Sequence, residues 1–340
     1  MRILDQGRGS IFSPITPEDF RRHMRSKAQK AHTDKRMDLK TAIAEFVKPG
    51  NYLSIGGFSF VRLPMAFLWE VLRQGYVFKM AGGSRSLDFN MLLDNNMVEA
   101  VDASYILGME TLGIPYHARR LAERKEIRGE LKICEWSNGT MAWRHKAAAM
   151  GVPFLPVKSL LGSDTFKYSG AKKVKCPFTG EEVALVPALY SDVAVIHVHK
   201  ADMYGNCQIY GMLGDDIEKA KSARHVIITT EKIVDAEEFR RGPSPVITQF
   251  YVDAVVEVPY GAYPTNMPGL YYLDLEHLKE YLAASKDPHG KKIRAYYQKY
   301  FFNPISFQNF LDLNGGMATL ERLRKLEQLH NGGENTDGFL

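Results

Sequence analysis

The residues best placed to do chemistry are two paired glycines. Gly56-Gly57-Phe58 and Gly82-Gly83-Ser84 each close a short apolar run, and a glycine pair lets backbone amides approach a ligand where a Cβ would block them. Such amides can hold an acyl oxygen that gains negative charge; a tight turn without a ligand is the alternative. Neither pair belongs to a G-K-[ST] phosphate loop or a G-x-G-x-x-G fingerprint. Arg62 has the planar fork that grips a carboxylate in a bidentate way, or it pairs with a surface acid at a helix entrance. Glu135 opens the polar turn Glu135 to Thr140. It suits a general acid or base, or a turn carboxylate capping the helix after Gly139. His197 and His199 alternate on one strand with Asp202 close behind, which imitates a metal pair but is short of ligands, so no metal is expected. Cys134 and Cys207 have no evident His and Asn partners, which argues against a thiol nucleophile.

The elements that must position these groups can be read from spacing. Tyr52 to Ile55 reads as a strand, and Pro64 as the first residue of a helix with Met65, Leu68, Val71 and Leu72 on one face. Gly75 is its C-cap and Tyr76 to Met80 the next strand. The unit is βαβ, so its strands are parallel and both glycine pairs fall at carboxyl ends, where such sheets bind ligands. Further strands are expected at Val98 to Ala103, Leu131 to Cys134, Val193 to Val198, Val226 to Thr230 and Val252 to Val258. Helices are expected at Leu39 to Val47, Thr111 to Lys125, Met141 to Met150, Ile217 to Ala223, Leu275 to Leu282 and Ile293 to Phe302. Ser163 to Glu182, carrying Lys167, Lys172, Lys173 and Lys175, is either a mobile basic loop or an edge hairpin. The aromatic stretch Tyr296 to Phe310 covers an apolar face of this chain or of a partner.

The domain organisation follows. Residues 1–36 form a basic N-terminal helical extension, with Thr16 and Pro17 starting its helix, and a solvated arm is the plainest reading. Residues 37–315 form the main α/β domain, and 316–340 a C-terminal tail whose last ten residues read as disordered. With 340 residues, 45% of them hydrophobic, the chain can bury a large core. No apolar run has the length of a membrane span and no secretory leader is evident, while three widely spaced cysteines fit a reducing cytoplasm. A net charge of +5 without a nucleic-acid motif gives no reason to expect a nucleic-acid partner.

One pattern goes further. Ile55-Gly56-Gly57-Phe58 followed by Pro64 resembles the signature of the family I coenzyme A transferases: an apolar strand, G-G-F, three residues, glycine, any residue, proline. The chain departs from it with Arg62 in place of the glycine, Ser54 within the apolar triplet and Pro49 for the usual Asp or Asn. The arginine variant with the run Pro64 to Gly75 is similar to the glutaconate-type α subunits of that family. The resemblance recurs at Cys176 to Val183, Asp192 to His197 and Phe250 to Thr265. It implies a NagB/RpiA/CoA-transferase-like α/β fold, mainly a parallel sheet with helices on both faces. It also implies the α subunit of a heteromeric acyl-CoA transferase, a heterotetramer or larger, with a coenzyme A thioester and a carboxylic acid as substrates and no permanently bound cofactor. The acid itself is a short polar or dicarboxylic one. In heteromeric members the nucleophilic glutamate belongs to the β subunit, and this chain has Ala81-Gly82-Gly83-Ser84 where a β subunit presents it. Gly56, Gly57, Phe58, Arg62, Gly82, Gly83 and Ser84 are then the expected substrate-binding residues. The alternatives are an acyl-CoA hydrolase or C-C bond cleaving enzyme using Glu135 or a partner's acid, and a subunit that binds CoA esters without turnover.

Overall fold

Runs of β-branched residues bounded by glycine, asparagine and aspartate build the strands. The computed structural model describes residues 2–82, 87–106, 109, 112–123 and 131–332. In chain order the elements are β1 (Ile3–Gln6), α1 (Pro17–Ala28), α2 (Leu39–Phe46), β2 (Tyr52–Ile55), α3 (Met65–Gln74), β3 (Phe78–Gly82), α4 (Leu87–Asp94), β4 (Val98–Ala103) and α5 (Tyr116–Glu123). Next come β5 (Lys132–Glu135), α6 (Asn138–Ala149), β6 (Phe154–Val157), α7 (Asp164–Tyr168), β7 (Lys172–Lys175), β8 (Glu182–Pro187), β9 (Ser191–Ala201) and β10 (Cys207–Gln208). The chain continues with α8 (Asp216–Ser222), β11 (Ala223–Ile233), α9 (Ala236–Arg241), β12 (Ala254–Glu257), α10 (Leu275–Ser285), α11 (Lys291–Tyr297), α12 (Phe307–Leu313) and α13 (Gly316–Gly332).

The large sheet runs β12-β11-β9-β2-β3-β4-β5 with every neighbour parallel, and β10 pairs antiparallel with β9. The chain first builds outward from β2 to β5, then returns to lay β9 on the other side of β2. The order therefore reverses between β2 and β9, which makes their carboxyl ends the crevice of the sheet. Alternation along β9 divides the core: Val193 and Val195 join α3, α4 and the C-terminal helices on one face, while Ala194, Ile196 and Val198 face Ala220 of α8 on the other. A smaller antiparallel sheet, β1-β7-β8-β6, makes Lys172 to Pro187 a hairpin, but β1 and β6 flank it, so it is the centre of that sheet rather than an edge.

Three segments differ from their sequence reading. The N-terminal segment is docked rather than solvated. β1 pairs with β7, Phe20 of α1 stacks on Tyr190 at 4.6 Å, and buried Lys27 sits 2.5 Å from Asp253 and donates to the Arg224 carbonyl. Helix α3 is buried from Met65 to Leu72 on every side, because the aromatic stretch covers its outer face. Trp69 Nε1 donates to the Tyr300 carbonyl and Arg73 to that of Phe301. The C-terminal tail is α13 as far as Gly332; its Glu327 is buried and accepts hydrogen bonds from Asn266 and the Gly269 amide. Residues 333–340, within the stretch read as disordered, lie outside the described residues. No helix among the described residues is long and apolar enough to cross a membrane.

Burial raises the Asp253 carboxyl, but His225 and Lys27 outweigh it and hold the group below the ordinary aspartate value. Replacing Lys27 with alanine strands that carboxylate in a site open to 15% of its surface. The variant is expected to lose about 3 kcal/mol of stability, read from urea unfolding; an unchanged midpoint would show that the Lys27–Asp253 pair contributes nothing.

Candidate active site

The turn after β2 is shaped by what its glycines must avoid. A Cβ on Gly56 would lie 2.9 Å from Ile196 Cα of the adjoining strand, and Gly57 has φ +86° with Val61 O 2.5 Å from where its Cβ would be. Ser59 and Arg62 also take left-handed φ, +52° and +57°. This folds 56–62 into a tight loop closed by mutual Phe58–Val61 backbone hydrogen bonds. The amides are used up inside it: Gly56 N donates to Val195 O, Gly57 N to Asp216 Oδ1 and Phe58 N to Val61 O. The amide cradle expected of this glycine pair is therefore not formed by these groups. What reaches the surface is the half-buried side of Phe58 and Ser59.

Arg62 is fully enclosed. Its Nη1 lies 2.8 Å from Asp216 Oδ2, both side chains are 0% exposed, and Nη2 donates to the Met212 carbonyl at 2.6 Å. Its backbone N donates to Asn266 O. Arg62 thus joins the loop after β2 to the segment leading into α8 through its guanidinium and to the segment after β12 through its backbone N–H. It meets neither a surface acid nor solvent, so in this geometry the bidentate grip on a dissolved carboxylate is replaced by a structural clamp. Asp216 went unnoticed in the sequence because Asp215-Asp216 before a helix reads as ordinary capping.

Behind the clamp, His197 and His199 are both committed. His197 contacts Thr229 Oγ1 and Glu231 Oε1 at 2.8 Å each, and Glu231 also accepts from Tyr271 Oη and the Tyr260 amide. His199 Nε2 donates to the Pro268 carbonyl and Nδ1 accepts from the Tyr210 amide, which assigns the neutral ring. Burial pushes its pKa down to about 4. No group of three or more His, Cys, Asp or Glu among the described residues could hold a metal. Burial also pushes the Cys134 thiol up to about 12 and Cys207 well above its usual value, so neither is a thiolate.

On the other side of β2, Gly82 ends β3 with its carbonyl accepting from the Ser104 amide, and a Cβ there would meet Ile106 at 2.7 Å. Gly83 and Ser84 lie outside the described residues. Glu135 is exposed at the end of β5. The helix cap read for it belongs to Ser137, which forms a capping box with Thr140, so α6 begins within the turn rather than after it. Three strand spacings separate β2 from β5, roughly 14 Å, so the Gly57 loop and Glu135 meet only across a long ligand. Beside Glu135 lies a buried cluster absent from the sequence reading: Asp102 receives Tyr52 Oη and Trp136 Nε1 and pairs with Arg144 at 2.7 Å, whose guanidinium lies 4.1 Å over the Trp136 ring.

Comparison with known proteins shows the family and the fold. A family model described as Coenzyme A transferase matches residues 36–258. An uncharacterised protein of Archaeoglobus fulgidus is 43% identical over 97% of this chain and 73% of its own length. The A-type subunit of glutaconate CoA-transferase from Acidaminococcus fermentans is 36% identical over 74% of this chain and 83% of its own. The crystal structure of that organism's glutaconate coenzyme A-transferase superposes with a TM-score of 0.80, covering 85% of this chain and 95% of the other at 32% identity. A variant of the decarboxylase AibA/AibB superposes at 0.67, covering 78% and 98% at 28% identity.

Two outcomes follow from the clamp and from His199. Asp216→Ala leaves the Arg62 charge buried without its partner and is expected to cost about 4 kcal/mol, whereas Phe58→Ala, at the half-buried tip, costs less than about half of that; equal urea midpoints for the two would refute the clamp. Because His199 binds its proton more weakly folded than unfolded, stability rises with pH between about 4 and 6.5 and this contribution is complete above 6.5. Unfolding at pH 5 should therefore be easier than at pH 7 by about 2 kcal/mol from this group, and His199→Gln should flatten that part of the slope.

Proposed function

The chain belongs to the coenzyme A transferase family, and on that premise we propose that it is the α-type subunit of a heteromeric acyl-CoA transferase. The observation that carries the reading is the Gly57 turn, clamped by Arg62 and Asp216 at the switch point of the sheet, in a chain 36% identical to the A-type subunit of a glutaconate CoA-transferase. β3 ends in Ala81-Gly82 without an acid. The nucleophile is accordingly assigned to a glutamate of the second subunit.

In the first half-reaction that glutamate's carboxylate attacks the acyl-CoA carbonyl and the C–S bond breaks. This leaves a mixed anhydride and the CoA thiolate. The thiolate then attacks the glutamyl carbonyl of the anhydride, releasing the first acid as its carboxylate and forming a glutamyl-CoA thioester. The second acid runs the same two steps in reverse. This chain's part is to form one wall of the acid pocket with the exposed side of Phe58 and the loop behind it, while Arg62 holds that loop in register. A short polar or dicarboxylic acid is the proposed substrate.

One observation favours a second reading. Glu135 is exposed at a strand's carboxyl end and relieved of capping by Ser137, which leaves its carboxylate available as an acid or base for acyl-CoA hydrolysis or C-C bond cleavage. The likeness to the decarboxylase AibA/AibB supports keeping it.

Co-purified with its partner subunit, incubated with acyl-CoA and trapped with hydroxylamine or borohydride, the complex is expected to carry the modification on a partner glutamate. It is expected to move CoA to a free acid, and Glu135→Gln is expected to keep transfer within about twofold of the parent, as befits a group outside the covalent step. A modified residue in this chain, or free CoA with nothing trapped and activity lost in Glu135→Gln, would establish the second reading instead.

A further inference from the structure

A second concave site lies far from the Gly57 turn. Helix α6 starts at the carboxyl end of β5 and descends roughly 18 Å, so its last residues reach the amino ends of the strands. There α1 packs against it and closes a pocket of about 520 Å³, within the size range of small-molecule sites. Its floor and wall are apolar: Phe20, Met24, Phe250 and Tyr251 line it, and Phe250 stays 48% exposed. Its charge is of one sign. Arg21, Arg25 and Lys221 line it, and no Asp or Glu does among the described residues.

The three cations are not equivalent. Arg21 is spent on Glu18, 2.8 Å away, and on the Gly151 carbonyl that ends α6. Arg25 has no carboxylate within ion-pairing distance among the described residues, and Lys221 only overlies the Tyr251 ring at 5.8 Å. Two cations without a carboxylate partner among the described residues therefore line one pocket beside aromatic surface that stays in water. An anion carrying a flat apolar body relieves both: its charge lies between the cations and its ring covers the aromatic wall. Residues 20 to 28 precede the 36–258 span matched by the transferase family, so the α1 wall of the pocket, with Arg25, lies outside the match while Lys221, Phe250 and Tyr251 lie within it.

We propose that this pocket binds a small organic anion with an aromatic or fused-ring body, its charged group held by Arg25 and Lys221 and its ring against Phe250 and Tyr251. The proposal is independent of the transferase reading, since the Gly57 turn lies at the other end of the sheet.

The test titrates the intact chain, with its partner subunit if it co-purifies, using 1-anilinonaphthalene-8-sulfonate and following fluorescence. Saturable binding at one site per chain is expected, weakened at least about tenfold in Arg25→Ala/Lys221→Ala, restored in Arg25→Lys/Lys221→Arg, and weakened by added salt. Urea midpoints close to the parent's are expected for both double variants, whose altered side chains hold no buried partner. Uncharged N-phenyl-1-naphthylamine is expected to bind at least about tenfold less tightly. Displacement by AMP identifies a phosphate as the favoured group, and displacement by 1-naphthoate a carboxylate. Equal affinity in the alanine double variant, equal binding of the uncharged probe, or displacement by neither anion would overturn the proposal.

Discussion

The buried pair between Arg62 and Asp216 is the constraint on which the candidate site depends. Two opposite charges at 0% exposure are costly to desolvate, and the cost is offset by the hydrogen bonds gathered around the pair. Asp216 takes the Gly57 amide as well as the guanidinium, and Arg62 takes the Met212 carbonyl. The loop after β2 and the segment leading into α8 therefore share one electrostatic knot, and the Arg62 amide ties the segment after β12 to it. The left-handed backbone at Ser59 and Arg62 is unfavourable for residues with a Cβ, and the knot is what makes it tolerable.

Much of the fold was legible because it rests on periodicity. The β-branched runs of β9 and β11, the glycine that ends α3 and the parallel βαβ beginning at β2 all announce themselves locally. The place of the glycine pair at the end of β2 is legible in the sequence, whereas the contact that requires Gly56 is not. The loop needs Gly56 to clear Ile196, 140 positions away in sequence, and such a requirement leaves no local trace. Asp216, Glu231 and Asp102 escaped notice for the same reason, since each acquires meaning only through partners brought by other strands.

The segments misread were those whose composition speaks for solvent while tertiary packing overrides it. Helix α1 carries Arg21, Arg22 and Arg25 outward, yet Phe20 and Lys27 on its inner side are buried. Helix α13 has a charged, low-contrast sequence, yet Leu320, Leu323 and Glu327 close over the loop after β12. In both, a few anchoring side chains decide the outcome against the average of the segment.

Glu327 has a bearing on how the molecule is made. Its carboxylate satisfies Asn266 and the Gly269 amide, and Asn266 in turn receives the Arg62 amide, so the framework behind the Gly57 loop is finished by almost the last helix. During synthesis, which proceeds from the N-terminus, β2 can pair first with β3, then waits for β9 as its second neighbour and for α13 to lock the loop beyond it. A nascent chain can therefore hold most of its sheet while the loop after β2 is still unframed, and that loop is locked only once α13 has been made.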